Sequence, residues 1–284
     1  MKIVILAVAL ACLCIDAAAA AAPSGVLQKI KSTQTITLGY SESAVPFSFV
    51  GNDNRPQGYS VDLCKRIADG IQQQLGLAEL KIKWVKVDVK TRIPATVKGT
   101  IDIECGSTTH TLSREEKVDF SNMIFVDGGS YMSKGRAKLA TVKDLAGKKI
   151  SVIPGTTTEK VLKGALDQAQ VSAEIIPVQT HAEGFGSLRE DRVDAYASDR
   201  MILIGLALNA IDAQSYRLSD EMFSYEPYAL MSRRDADFRL AVNRELARLY
   251  RSGDILNLYA RWYGPLGEPS TLLKAMYFLN ALPE

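Results

Sequence analysis

The sequence predicts an α/β protein of two lobes, each a mixed sheet flanked by helices, joined by two hinge crossings of the chain. Three observations carry this expectation. Residues 35–106 alternate strand-like and helix-like patterns in the order β-α-β-α-β. A second unit of the same kind begins near Gly147, and two extended segments, 123–135 and 221–234, carry the chain across and back. The boundaries expected are a leader at 1–22, a discontinuous first lobe at 23–128 plus 223–284, and a second lobe at 129–222.

The leader comes first. Lys2 precedes an apolar run from Ile3 to Cys14, and small residues between Ala17 and Ala22 offer Ala-x-Ala cleavage sites. That pattern is a Sec-type export signal, too short to span a bilayer permanently. Leu10 sits one place late for a lipid-attachment motif at Cys12, so cleavage near Ala22 and a periplasmic protein are expected. The remaining composition is that of an ordinary globular protein: 47% hydrophobic, 23% charged, net charge +2 over 284 residues. So weak a charge balance excludes nucleic acid as an expected partner.

Within the first unit, TITLGYS (35–41) alternates as a strand. YSVDLCKRIADGIQQQLG (59–76) places Val61, Leu63, Cys64, Ile67, Ile71 and Leu75 at helical spacing. KIKWVKV (81–87) is a strand, RIPATVKGT (92–100) a short helix, and IDIECG (101–106) a strand. The second unit runs from the strand KISVI (149–153) through the loop PGTTTE to a helix starting near Thr158. AEIIPVQTHAEGF (173–185) and VDAYASDR (193–200) follow as strand-then-loop pairs. Residues 237–264 form two helices punctuated by Ser252-Gly253-Asp254.

A β-α-β order puts the ligand crevice beyond the carboxyl ends of the strands, where GSTTHT stands. Ser107, Thr108 and Thr109 with Arg114 offer hydroxyls, amides and a planar guanidinium fork suited to a carboxylate. Read alone, the same residues also fit a polar loop with a solvent-facing arginine. With Cys12 and Cys14 in the leader, Cys64 and Cys105 remain; they form either a disulfide or two buried thiols. With only His110 and His181 beside them, no zinc spacing exists, and neither a metal nor a cofactor is expected.

Three segments, NRPQGYSVDLCKRIADGI, VDVKTRIPATVKGTIDIECGSTTHTLSREEKVDFSNMIF and KKISVIPGTTTEKVL, resemble the extracytoplasmic solute-binding proteins of amino-acid ABC transporters, in particular the glutamate/aspartate-binding branch. The resemblance runs from about Thr35 to Gly264. It implies the two-lobed type II periplasmic-binding-protein fold, a monomer that binds an L-amino acid without catalysis, and a membrane permease as partner. Carried over residue by residue, it assigns Thr109, Arg114 and Ser107 to the ligand α-carboxylate and Asp199 to the α-ammonium. Thr156 and Thr157 become second-lobe contacts, and Arg92 and His181 stand near the ligand side chain, where a cation favours an acidic group. Phe47 is assigned to the cleft beside Ser41; for Tyr40, Phe47 and Phe49 alike, core packing is the competing reading. Some relatives carry a cysteine where this chain has Ala229, and the pairing implied for Cys105 is with Cys64.

The chain departs from the branch at two positions. Ser41 replaces an arginine ahead of the V-P-F segment, and Val89 replaces a serine three places before the RIP arginine. Both losses fall at the side-chain end, so glutamine, asparagine or a broader polar range stands beside glutamate and aspartate as the expected ligand. A secreted cyclohexadienyl dehydratase is the competing enzyme reading on the same fold, with Glu183 or His181 as its acid. An amino-acid sensor is a third.

Overall fold

The structure is a computed structural model that describes residues 24–135 and 139–283; the leader expected at 1–22 lies outside the described residues. Helix α1 (Gly25–Thr33) leads into β1 (Thr35–Tyr40), followed by a small antiparallel sheet of β2 (Ser43–Ala44), β3 (Ser48–Val50) and β4 (Pro56–Gln57). Then come α2 (Tyr59–Gln74), β5 (Lys81–Lys86), α3 (Arg92–Val97), β6 (Ile103–Glu104) and α4 (Leu112–Glu115). The chain crosses between β7 (Asp119–Asp127) and β8 (Gly129–Lys134). The second lobe holds β9 (Lys149–Val152), α5 (Thr157–Gln168), β10 (Glu174–Pro177), α6 (His181–Arg189), β11 (Ala195–Asp199), α7 (Arg200–Leu208) and β12 (Tyr216–Leu218). The return strand β13 (Glu226–Ser232) leads to α8 (Ala236–Ser252), α9 (Asp254–Tyr263) and α10 (Thr271–Leu279).

Each lobe has one five-stranded mixed sheet, ordered β5-β1-β6-β13-β7 and β10-β9-β11-β8-β12. Strands β1, β5 and β6 are parallel, as are β9, β10 and β11, whereas β13 and β8 run antiparallel to their neighbours. This geometry aims the carboxyl ends of β6, β9 and β11 at one cleft, as the crevice rule requires. The strand within 101–106 is only Ile103–Glu104; the Cys105 amide still donates to the Gly39 carbonyl of β1, and the chain from Gly106 builds the cleft loop.

Helix α2 buries Val61, Leu63, Cys64, Ile67 and Ile71 against the first sheet. Its N-cap, Gly58, has φ 131°, and a Cβ there would meet the Phe47 carbonyl oxygen at 2.2 Å, so glycine is required. Helix α1, which the sequence patterns did not reveal, is pinned to α8 by one carboxylate: Asp235 accepts from the Val26 and Phe238 amides. Helix α10 was equally hidden; it buries Leu273, Met276 and Tyr277 in the first-lobe core.

Cys64 and Cys105 are bonded, with Cα atoms 6.1 Å apart, joining α2 to the strand end that opens the cleft loop. The bridge spans 41 residues, which corresponds to about 4 kcal/mol of loop-closure entropy removed from the unfolded chain. Urea unfolding of the Cys64→Ser/Cys105→Ser variant is expected to show a loss of that order; an unchanged midpoint would show that the bridge contributes nothing to stability.

Candidate functional site

The cleft loop owes its rigidity to the return strand. Thr109 forms a bridge with Tyr228, the His110 amide donates to the Pro227 carbonyl, and the Ala229 amide donates to the Thr108 carbonyl. Glu104, at the end of β6, is buried; its carboxylate accepts from Thr108 Oγ1 at 2.8 Å. A Cβ on Gly106 would meet Glu104 Oε1 at 2.0 Å, so a larger residue there would displace that carboxylate. Burial pushes the Glu104 carboxyl up, and the charges of Arg92 and Arg114 with the Thr108 hydroxyl pull against that rise.

On the opposite wall α5 begins at Thr157, one residue earlier than its sequence pattern indicates. Thr156 is its N-cap, accepting from the Glu159 amide at 3.0 Å and donating to the Ile153 carbonyl. The helix thereby turns the next two hydroxyls inward. Thr157 Oγ1 donates to Glu226 Oε2 at 2.6 Å, and Thr158 Oγ1 donates to Asp199 Oδ1 at 2.6 Å. Asp199 ends β11, is buried, and also accepts from the Tyr228 hydroxyl.

The two lobes meet at Glu226. Its Oε2 accepts from Thr109 Oγ1 of the first lobe at 2.5 Å as well as from Thr157 of the second, and those two hydroxyls lie 3.2 Å apart. Glu226 faces Asp127 across the crossing strands. Asp127, Asp199 and Glu226 therefore crowd negative charge under one end of the cleft. Burial, and after it the neighbouring carboxylates, lift Asp127 and Asp199 well above the ordinary range, Asp199 to about 6. Such an end favours a bound cation. Because the Glu226 bridge exists only with the lobes together, Glu226→Ala is expected to weaken ligand binding by about tenfold to a hundredfold, from two charge-assisted bonds lost in the closed form. Calorimetry of a variant with unchanged ligand-free unfolding checks this, and unaltered affinity would remove Glu226 from closure.

Arg92, at the N-terminus of α3, stands at the other end of the inner cavity. It is 8% exposed, its Nε is buried without a partner, and among the described residues no carboxylate lies within ion-pair distance of its guanidinium. His181 opens α6 after the N-cap Thr180, and its Nδ1 lies 2.7 Å from the Tyr196 hydroxyl. Gly184 makes room for that tyrosine, since a Cβ there would strike the Tyr196 ring at 2.2 Å. Burial, and after it Arg92, push the His181 imidazole down to about 4. The histidine is thus neutral at physiological pH, and the cationic role assigned to this pair falls to Arg92 alone.

An inner cavity of about 30 Å³ is lined by Arg92, Ser107, Thr109, Thr156, Thr157, His181 and Asp199, together with Val89, Ile153, Thr158, Ala197, Ser198 and Ile202. It adjoins a second of about 140 Å³ that reaches Ser41. Arg114 lies behind this lining. Its Nη1 donates to the Thr109 carbonyl at 2.7 Å, and burial, followed by Arg92, lowers the guanidinium to about 10, still cationic. Phe47 does not reach the cleft. It is fully buried in an edge-to-face cluster with Tyr59, Phe125 and Tyr228. Tyr40 packs edge-on to Trp84 and Phe49 to Trp262.

Sequence reasoning missed Tyr228, Glu226 and Asp127, which come from the crossings and reach the cleft through tertiary contacts alone. Glu183, named as an alternative acid, is spent on its helix: its carboxylate accepts from the Gln179 amide and its amide donates to Thr180 Oγ1.

Comparison with known proteins gives a consistent result. The family described as bacterial extracellular solute-binding proteins, family 3, matches residues 36–265. An L-glutamate/L-aspartate-binding protein of Pseudomonas aeruginosa is 36% identical over 84% of this chain and 80% of its own. A glutamate/aspartate import solute-binding protein of Escherichia coli is 30% identical over 86% and 82%. The crystal structure of an ancestral amino acid-binding protein, a precursor of cyclohexadienyl dehydratase, superposes with a TM-score of 0.73 at 27% identity, covering 84% of this chain and all of that one.

Proposed function

The chain belongs to the bacterial extracellular solute-binding proteins, family 3, and on that premise we propose that it is the periplasmic receptor of an amino-acid ABC importer, capturing glutamate or aspartate between its lobes and presenting the closed form to the permease. The relatives that bind glutamate and aspartate support this ligand class. The observation that carries it is Arg92, a buried guanidinium without a carboxylate partner that shares a cavity wall with Asp199. A buried charge left unpaired is costly, and an anionic ligand side chain supplies the missing partner. Asp199 takes the α-ammonium, and Thr109, backed by the Arg114 guanidinium that donates to its carbonyl, takes the α-carboxylate. Ser107 and the Thr156–Thr157 loop complete the contacts from both walls. Contact with both lobes is what makes a ligand favour closure. The reading includes a monomer with the lobe boundaries expected above, exported by cleavage of residues 1–22.

Calorimetry of purified protein, stripped of ligand by unfolding and refolding, tests this against the common amino acids and prephenate. Glutamate and aspartate are expected to bind most tightly. In Arg92→Gln their affinity is expected to fall by about 2–4 kcal/mol, roughly thirty- to a thousandfold, while glutamine changes by less than tenfold. Equal losses for glutamate and glutamine would overturn the placement of the side-chain carboxylate, and prephenate turnover would overturn the transport reading.

A further inference from the structure

Resting on the reading of Asp199 and Arg92 as the two poles of the site, we propose that the cleft also takes γ-glutamyl amides, α-amino acids whose side-chain carbonyl meets Arg92 and continues through an amide into the outer cavity. Arg92 marks a junction. It lines the inner cavity with Asp199 and Thr157, and it lines the outer one, which contains neither of those residues. Val89, Ser107, Ile153 and His181 are also shared, so the two spaces adjoin along this wall. The outer space is the larger of the two, about 140 Å³ against about 30 Å³.

Two short side chains keep it open. Ser41 and Val89 both line it. The lining beyond them suits a polar extension more than an isolated charge. Its acids are already matched: Glu42 lies 2.5 Å from Lys86, Glu104 accepts from Thr108, and Asp88 accepts from the Lys90 and Thr91 amides. What remains is mixed. Ser41 and Ser43 bring hydroxyls, and Gln179 brings an amide whose oxygen accepts from Lys90 across the cleft. An amide linkage has one donor and one acceptor, so it finds partners here, while Arg92 Nε gains an acceptor in the γ-carbonyl.

Titration of ligand-stripped protein with γ-glutamylglycine, γ-glutamylmethylamide and glutamate tests the proposal. The expected result is γ-glutamylglycine binding within thirtyfold of glutamate. In Ser41→Arg, which would fill the outer space, the ratio of γ-glutamylglycine to glutamate affinity is expected to fall at least thirtyfold. Ser43→Leu narrows the same space by a second route and is expected to lower the ratio in the same sense. The methylamide separates use of the amide from use of the terminal carboxylate: equal or tighter binding of the methylamide supports the amide alone, and a preference for γ-glutamylglycine supports a terminal carboxylate that draws Lys86 from Glu42. Glutamate binding with γ-glutamylglycine more than thirtyfold weaker would overturn the extension and leave the transport reading intact, as would a ratio that neither variant moves. Failure of both ligands, with another amino acid bound, would overturn the two-pole reading and the extension together.

Discussion

Asp199→Asn is expected to weaken binding of every α-amino acid by a hundredfold or more and to abolish preference for glutamate over glutarate, its analogue without an ammonium. Asparagine preserves the size of the side chain but only one of the two oxygens that accept from Thr158 (at Oδ1) and Tyr228 (at Oδ2), so the loss reports the charge together with one hydrogen bond. Removing one partner of a buried charge pair typically costs 2–5 kcal/mol. The same residue dictates a pH dependence. In the ligand-free protein the Asp199 carboxyl is raised to about 6, first by burial and then by Glu226. An ammonium binds the ionised form, so below about pH 6 a proton has to leave as ligand enters. Affinity is therefore expected to be full above that pH and to fall about tenfold for each further unit of acidity, about 1.4 kcal/mol, down to the lower pKa of the complex. The asparagine variant is expected to lose the part of this slope that Asp199 carries, while Asp127, raised by burial and then by Asp199, keeps its own. Calorimetry at pH 5, 6 and 7 checks both results; a variant within fivefold of the parent at pH 7 would place the ammonium elsewhere.

Arg114→Ala is expected to remove most affinity for acidic amino acids, by about 3–5 kcal/mol or more than a hundredfold. Two effects add. The α-carboxylate loses its cationic partner, and the acids Glu104, Asp199 and Glu226, whose charges reach Arg114, confront an anionic ligand with Arg92 as the nearby cation. The hydrogen bond from Arg114 to the Thr109 carbonyl also disappears, loosening the loop that presents the Thr109 hydroxyl. Arg114→Lys restores a point charge without the planar fork, and its affinity is expected to lie between parent and alanine. Lysine indistinguishable from alanine would show that geometry, not charge, dominates; alanine within fivefold of the parent would show that the α-carboxylate does not depend on Arg114.

Much of this molecule was legible from local pattern. Helical spacing at Val61, Leu63, Cys64, Ile67 and Ile71 reports one buried face, and the strand-then-hydroxyl order at Cys105–Thr109 reports a crevice. Helix α1 escaped because its nine residues end within two residues of β1 and carry no acidic first turn; its burial comes from docking on α8. Phe47 shows the limit of reading side chains without their surroundings: an aromatic beside a cleft loop has the same composition whether it faces ligand or core. His181 shows the corresponding limit for charge, since an imidazole half-buried beside Arg92 and Tyr196 is neutral where an exposed one would titrate.

Short-range periodicity and contiguous motifs suffice for the two β-α-β units, the two crossings, the family membership and the grouping of Ser107, Thr109, Thr156, Thr157 and Asp199 around one cavity. Tertiary structure alone decided that Glu226 ties Thr109 to Thr157, that Asp127, Asp199 and Glu226 share one end, and that Arg92 stands unpaired between two cavities. The physical reason is that pairing, burial and protonation depend on distances between residues as many as 117 positions apart, which only folding sets.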